Sequence, residues 1–139
     1  MAVETMSISF GTSGDGDTVD LTPELAQGVR ESGISCGVAT LFIGGSTAGL
    51  TTIEYEPGAV ADLQDVFEGV APGNRDWRHH LRWGDHNGHS HVRAALLGPS
   101  LSVPFLGKEL VLGTWQQVVL VDFDDRPRNR EVIVQLVGE

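Results

Sequence analysis

The spacing of apolar residues along the chain predicts short strands more often than helices. Met6, Ile8 and Phe10 alternate with serines, which is the period of a strand with one buried face. Continuous apolar or β-branched runs predict further strands over residues 34–43, 50–55, 101–105, 110–112, 114–122 and 131–137. Residues 118–121 show no polar alternation, so we expect both faces of that strand to be covered.

Helical signals are limited to three segments. Thr-Pro-Glu at 22–24 predicts a helix start, with Leu25 and Val29 on its buried face. Apolar residues at helical spacing in 60–70 predict a second helix, and a third is predicted from Ser90 to residue 97. Three helices among about seven short strands, several joined as hairpins, predict an α+β fold of mostly antiparallel sheets.

Composition and charge restrict the classes of function. The 139 residues, 40% of them hydrophobic, predict a single domain spanning 1–139. A formal net charge of −10 argues against nucleic acid as a partner. No apolar run is long enough to span a membrane and no secretory signal precedes the first strand, so we expect a cytoplasmic protein. The single cysteine, Cys36, is expected to be a buried, unreactive thiol in a strand.

All five histidines fall within a stretch of thirteen residues, in and just after a predicted long loop, 71–88. Such a loop inside a compact domain is unusual unless it is functional. Neutral imidazoles near a carboxylate, here Asp85, are what a catalytic metal site requires. The alternative is a solvated loop rich in histidine, since the spacing matches no standard metal motif. The five are His79, His80, His86, His89 and His91.

Two further polar residues lie in segments that otherwise have the pattern of buried strands. Glu54 shares a strand face with Thr52 and Glu56, and that face is either solvated or part of a site. Gln116 lies in the apolar segment 114–122, where a buried amide needs a hydrogen-bond partner. A structural hydrogen bond and a role in a site are both open for Gln116.

Three arginines alternate near the C-terminus, at positions 126, 128 and 130. Guanidinium groups in this arrangement could bind a phosphate or a carboxylate. The alternative is that they neutralise the neighbouring carboxylates Asp122, Asp124 and Asp125.

Four stretches of the chain together resemble the YjbQ family of small bacterial and archaeal proteins. They are GSTAGLTTIEYEPG (45–58), WRHHLRWGDHNGHSHVRAALLGPS (77–100), LVLGTWQQVVLVDFD (110–124) and RPRNREVIVQLVGE (126–139). They follow in order and cover most of the chain from residue 34 onward. The resemblance implies an α+β domain whose sheets pack around a threefold axis as a homotrimer.

The resemblance also implies a polar pocket that holds His79, His91, Glu54 and Gln116, with Asp85 nearby and, in some members, a bound metal. Family members are often described as secondary thiamine-phosphate synthases. Both the pocket and this activity are therefore expectations for the present chain.

One position departs from the family pattern. Many members open the second motif with His-Thr-Thr/Ser-Ala, and this chain has Gly45 where that histidine stands. Either the site here has one ligand fewer, or His86 or His89 takes the place of that histidine. His91 is expected to be the essential histidine of the His-Ser-His sequence, because helical residues two apart face in different directions.

The leading hypothesis is a metal-dependent enzyme with thiamine-phosphate synthase-like activity on a small phosphorylated substrate. The metal is expected to be divalent, with zinc suited to imidazole ligands. The alternative is a non-catalytic trimer that binds a metal or a metabolite. The candidate residues are Glu54, Asp85 and Gln116 for catalysis, His79, His89 and His91 for the metal, and Arg128 and Arg130 for the anionic part of a ligand.

Overall fold

The computed structural model describes residues 1–139 and contains eight strands and four helices. The predicted α+β class is confirmed, while β2 and α3 are elements that the sequence pattern did not predict. In chain order the elements are β1 (Ala2–Thr12), β2 (Asp17–Asp20), α1 (Thr22–Glu31), β3 (Gly37–Ile43), β4 (Ala48–Ile53), α2 (Pro57–Val70), α3 (Arg78–Trp83), α4 (Gly88–Leu97), β5 (Ser100–Leu106), β6 (Glu109–Leu110), β7 (Gln117–Asp122) and β8 (Arg128–Gly138).

The strands form two antiparallel sheets. The larger has the order β1-β8-β3-β5-β6, and the smaller has the order β2-β7-β4. β1 and β8 pair along their full lengths, from Ala2 opposite Gly138 to Thr12 opposite Arg128. In the smaller sheet β7 lies in the centre, and its pairing with β4 runs from Ala48 opposite Asp122 to Ile53 opposite Gln117.

The central strand β7 contributes to both hydrophobic clusters of the chain. Val118 and Leu120 belong to the main core between the sheets, and Val119 and Val121 pack against Phe67 of α2 and Ala94 of α4. Residues 118–121 are at most 1% exposed. Both faces of this strand are therefore covered, as predicted. The chain alone covers them, so β7 gives no argument for a partner subunit.

Two helix starts differ from the sequence prediction. α1 begins at Thr22, but the Thr22 hydroxyl does not cap the helix and accepts a hydrogen bond of 2.8 Å from the Val118 amide. α4 begins at Gly88, two residues before the predicted Ser90. None of the four helices is long and apolar enough to cross a bilayer.

Cys36 corrects a further prediction. It is exposed in the turn before β3 rather than buried in a strand. Ala39, Leu41 and Ile43 point into the core, so residues of even number in this segment, including Val38, point outward. Cys36 precedes this strand, and its sulfur accepts a hydrogen bond of 3.5 Å from the Gly107 amide.

The outer face of the five-stranded sheet exposes a group of apolar side chains, which we call the outer sheet patch. By strand register Val3 and Val38 flank Val137 on neighbouring strands, and Phe42 lies opposite Ile133. All five side chains are exposed, Phe42 by half. They form two groups, Val3–Val137–Val38 and Phe42–Ile133, and the polar row of Thr5, Gln135 and Thr40 lies between them.

Candidate functional site

Part of the segment predicted as a loop forms a short helix, α3, that carries two histidines. It spans Arg78–Trp83 and ends at Gly84, which adopts the left-handed conformation at φ +69°. None of its residues is buried, and Leu81 is 84% exposed. Because the helix has no buried apolar face, hydrophobic periodicity could not reveal it.

His79 of α3 and His91 of α4 lie in contact, together with Asp85 from the turn between the two helices. The imidazole centroids are 4.3 Å apart and the ring planes are tilted by 38°. Asp85 Oδ1 lies 3.0 Å from His79 Nδ1. This bond orients the His79 ring and directs Nε2 away from the carboxylate. We call these three residues the histidine site.

The environment of His91 favours its neutral form. Burial lowers the pKa of His91, and the adjacent His79 lowers it further. Asp124, Asp85 and a hydrogen bond with the Ser46 backbone act in the opposite direction but do not reverse the shift. A neutral imidazole is the form that binds a metal or accepts a proton.

His89 lies outside the histidine site. It stands two residues before His91 on α4, and the two side chains point about 200° apart. His89 lies beside Gly73 and near the ion pair of Arg93 with Glu68, whose atoms are 2.6 Å apart. Burial, and then Arg93, lower the pKa of His89, and its Nδ1 is buried without a hydrogen-bond partner.

The other two histidines, His80 and His86, contact each other. The rings of His80 and His86 meet edge to face with centroids 5.5 Å apart. His80 Nε2 accepts a hydrogen bond of 3.0 Å from the Gly88 amide, so His80 supports the first turn of α4. His86 lines a polar cavity of about 290 Å³ together with Asp85, Asn87, Asp125 and Arg126.

Arg128 and Arg130 bind buried carboxylates of the chain itself. Arg130 donates from Nε to Asp122 Oδ2 at 2.6 Å and from Nη2 to Asp122 Oδ1 at 2.9 Å. Nη2 also donates to Thr47 Oγ1 at 2.8 Å. Arg128 Nε donates to Asp124 Oδ2 at 3.0 Å. These contacts favour the neutralisation of neighbouring carboxylates over a free anion site.

The two carboxylates stay ionised although they are buried. Burial raises the pKa of Asp122, but hydrogen bonds from Arg130 and Thr12 outweigh it and hold the pKa below its ordinary value. Burial likewise opposes ionisation of Asp124, yet hydrogen bonds lower its pKa to about 2. From sequence, both were interpreted only as neighbours of the arginines. Their position at the end of a wholly apolar strand was the signal of a buried, paired carboxylate.

Glu54 and Gln116 lie together, but at the far end of β4 and β7 from the histidine site. Glu54 directly follows β4, and Gln116 directly precedes β7, where the register sets Ile53 opposite Gln117. His91 contacts the backbone of Ser46, two residues before β4 begins at Ala48. Strands rise by about 3.3 Å per residue, so Glu54 lies about 20 Å beyond Ala48.

Gln116 is exposed, which corrects the prediction of a buried amide in a strand. Its side chain closes the turn before β7, since Oε1 accepts a hydrogen bond of 3.0 Å from the Gly113 amide. Nε2 donates to Thr52 Oγ1 at 3.2 Å, which ties the turn to β4. Gln116 therefore has a structural role within its own chain.

The histidine site has fewer suitable side chains than a metal site needs. No group of three His, Cys, Asp or Glu side chains is arranged to hold a metal ion. His79 is oriented by Asp85, as ligating histidines are by their outer partners. These two imidazoles fit half of a tetrahedral zinc site, whose other ligands would come from elsewhere.

Gly45 lies at the rim of this site, next to Ser46. Its φ is +127°, a conformation that side-chain-bearing residues rarely adopt, and a Cβ atom here would lie 3.4 Å from Arg130 Nη1. The histidine that the resemblance expects at this position would thus stand near the imidazole pair. This loop is instead shaped for glycine.

Over nearly its whole length the chain is similar to known proteins of one family. The family model described as UPF0047 protein YjbQ-like matches residues 6–139. A UPF0047 protein of Methanothermobacter thermautotrophicus is 32% identical over 139 residues, covering 100% of this chain and 95% of the relative. The UPF0047 protein YugU of Bacillus subtilis is 30% identical, covering 95% of this chain and 98% of the relative. A crystal structure of a YbjQ-like protein of unknown function from Sulfolobus solfataricus has a TM-score of 0.93 and 33% identity, covering 99% of each chain.

Proposed function

Because the chain belongs to the UPF0047 (YjbQ-like) family, we propose that it is a metal-dependent enzyme acting on a small phosphorylated substrate. The proposed activity is thiamine-phosphate synthase-like, and the proposed reaction centre is the histidine site. The observation that carries the proposal is the contact of His79 with His91, in which Asp85 orients the His79 ring and the environment of His91 favours its neutral form. Zinc is the proposed metal because it suits imidazole ligands.

In this proposal the residues of the chain have distinct roles. His79 and His91 would hold the metal, which when bound supplies a Lewis acid for the departing pyrophosphate. Asp85 fixes the orientation of His79. Arg126 lines the polar cavity beside Asp85 and takes part in none of the ion pairs of the chain, so it is the candidate for binding a phosphate.

Arg128 and Arg130 act as positioning residues rather than as direct ligands of the substrate. Their guanidinium groups bind Asp124 and Asp122. Through Thr47, Arg130 also fixes the loop that carries Ser46 against His91. Loss of either arginine would therefore disturb the carboxylates and the loop that border the histidine site, even when no ligand is bound.

A second candidate function is a non-catalytic trimer that binds a metal or a metabolite. Two observations favour it: both C-terminal arginines are already paired, and a single chain supplies only two oriented imidazoles. A binding protein needs neither an open coordination position nor a titratable group next to a substrate.

The test uses protein purified without a polyhistidine tag. Zinc content is measured first, and then the condensation of the pyrimidine pyrophosphate with the thiazole phosphate, with and without added zinc. We expect zinc-dependent product formation that is lost in His91→Ala and kept in His89→Ala, the matched control from the same helix, because His89 lies outside the histidine site. Zinc binding without turnover would favour the binding protein. The absence of both zinc binding and turnover would contradict both functions.

A further inference from the structure

β1 is an edge strand of the larger sheet, and its outer edge is free. One edge of Ala2–Thr12 pairs with β8, and no other strand lies beside it. No backbone hydrogen bond joins these 11 residues to any element other than β8. Because the amides and carbonyls of a strand point alternately to its two edges, about half of those in β1 face away from the sheet.

The strand lacks the features by which proteins protect a free edge. Its pairing with β8 keeps one continuous register from residue 2 to residue 12, so it contains no bulge. It contains no proline and no lysine, and Glu4 is its only charged residue. A long edge of this kind can pair with another extended chain.

α1 lies beside this edge, and a groove separates the two elements. Met6 packs against Gly28 of the helix, where a side chain would collide with the Met6 sulfur. Two cavities, of about 190 and 260 Å³, extend from this contact, one toward Glu4 and the other toward Ser9. Both are lined by Met6, Gly28 and Glu31, so they are continuous. We call them together the β1 groove.

The β1 groove lies on the inner side of the larger sheet. Met6 and Ile8 line it and also contact the main core. Val3 is at an odd position of the same strand and belongs to the outer sheet patch, on the opposite face. An occupant of the β1 groove would therefore leave the outer sheet patch uncovered.

The walls of the β1 groove are acidic. Glu4 lies at one end, and Glu24 and Glu31 line the side formed by the helix. None of the three takes part in an ion pair, and none of the residues that line the two cavities is basic. Glu4 is held in place, since its Oε1 accepts a hydrogen bond of 2.7 Å from the Gly33 amide. Three carboxylates without a counter-charge favour a cationic occupant.

We propose that the β1 groove binds an extended, basic segment of another protein, which joins the larger sheet as a further strand beside β1. The backbone of that segment pairs with the free edge of β1. Its inward side chains are lysine or arginine, whose apolar stems cover Met6 while their charges reach Glu24 and Glu31. The contact uses no residue of the histidine site, so it does not depend on the proposed function.

A second copy of this chain does not supply the chemistry of this occupant. The edge strands of the two sheets are β1, β6, β2 and β4, and none of them contains a lysine or an arginine. Pairing of β1 with β1 of another copy would add a further carboxylate, Glu4, to an acidic groove. The occupant therefore comes from a different protein.

The first experiment uses a synthetic peptide, (Lys-Thr)4, in which all lysines share one face of an extended strand. We expect saturable binding to the wild type by fluorescence anisotropy, and at least tenfold weaker binding to the double variant Glu24→Lys, Glu31→Lys. The control is Asp62→Lys, Asp65→Lys, which changes the net charge equally at exposed positions of α2 and should weaken binding less than threefold. Equal losses in both double variants, or no saturable binding to the wild type, would overturn the proposal. Circular dichroism of each variant controls for the fold.

The second experiment separates strand pairing from simple attraction between charges. Amide hydrogen exchange, resolved for each residue of β1 by nuclear magnetic resonance, should be slow at amides bonded to β8 and fast at those on the free edge. Bound (Lys-Thr)4 should slow the fast set at least tenfold, and the same peptide with N-methylated amides should not. Unchanged exchange would show that no strand is added. Slow exchange along the free edge in the protein alone would show that a second copy already covers it, which would equally overturn the proposal.

Discussion

The two histidines of the His-Ser-His sequence differ in their neighbours, although they are only two residues apart. His91 packs against His79 beside Asp85, whereas His89 faces the Arg93–Glu68 pair. We expect His91→Ala to lower zinc affinity at least tenfold and His89→Ala to change it less than threefold. Equilibrium dialysis against zinc, at matched circular dichroism, measures this difference. A larger loss from His89→Ala would show that the metal role belongs to the other face of α4.

The buried titratable residues predict how stability depends on pH. The pKa values of His89 and His91 are lowered in the folded chain, mainly by burial, so the unfolded chain binds protons more readily. Stability should therefore fall as pH drops below about 6.5, the ordinary pKa of histidine. Asp122 and Asp124 also have lowered pKa values, so a second loss should follow as pH falls from about 4 toward 2.

Urea denaturation at a series of pH values tests this dependence. The double variant His89→Asn, His91→Asn should flatten the curve between pH 7 and about 5 and leave the acidic limb in place. A wild-type free energy of unfolding that does not change between pH 7 and 5 would contradict the assignment of buried neutral histidines.

Among the elements, those with a buried face were predictable and those without one were not. β1 alternates polar and apolar residues from Met6 to Phe10, and β8 contains the apolar, β-branched run 131–137, so both are identified from sequence. α3 has no buried residue, and the prediction treated it as loop. The turn that holds Gln116 escaped prediction because its stabilising contacts are side-chain hydrogen bonds to Gly113 and Thr52, which carry no periodic signal.

The packing of α4 on β4 depends on the absence of a side chain at Gly49. A Cβ atom at this position would lie 2.9 Å from both the Gly98 carbonyl oxygen and the Leu97 Cβ at the end of α4. Gly49→Ala should therefore force the helix and the strand apart and destabilise the fold by about 1–3 kcal/mol. Thermal and urea denaturation measure the change.

Gly69→Ala is the matched control for this contact. Gly69 is exposed on α2, and a Cβ atom there would have no neighbour within 4 Å. Alanine should stabilise this helix by up to about 1 kcal/mol, since it is the better helix former. If both variants changed stability in the same direction and to the same extent, close packing at Gly49 would not be the cause.

At the scale of the whole molecule, the sequence suggested a set of candidate site residues but not which of them lie in contact. His79, Asp85 and His91 were predicted to act together and lie in contact, because they are close in sequence and flank one turn. Glu54 and Gln116 were expected in the same pocket and lie at the other end of the smaller sheet. Such a separation depends on strand direction and register, which no local sequence pattern encodes.

The outer sheet patch provides a physical argument for association between copies that β7 does not, and the number three is the expectation from the family resemblance. The smaller sheet has helices α2 and α4 against it, whereas the outer face of the larger sheet presents two groups of apolar side chains to solvent. Three copies around an axis would each turn this face inward and remove the patch from water. We therefore expect light scattering after size exclusion to give about three times the chain mass of 14.9 kDa.

Phe42 is the largest side chain of the outer sheet patch, so Phe42→Lys is the variant that tests this arrangement. A lysine there would place a charge in each of three facing patches, and the species should shift to the mass of one chain at micromolar concentration. Val66→Lys is the control, because Val66 is comparably exposed, at 59%, but lies on α2, away from the patch. Two outcomes would contradict a trimer packed through this sheet. The wild type could elute as a monomer, or Val66→Lys could dissociate as readily as Phe42→Lys.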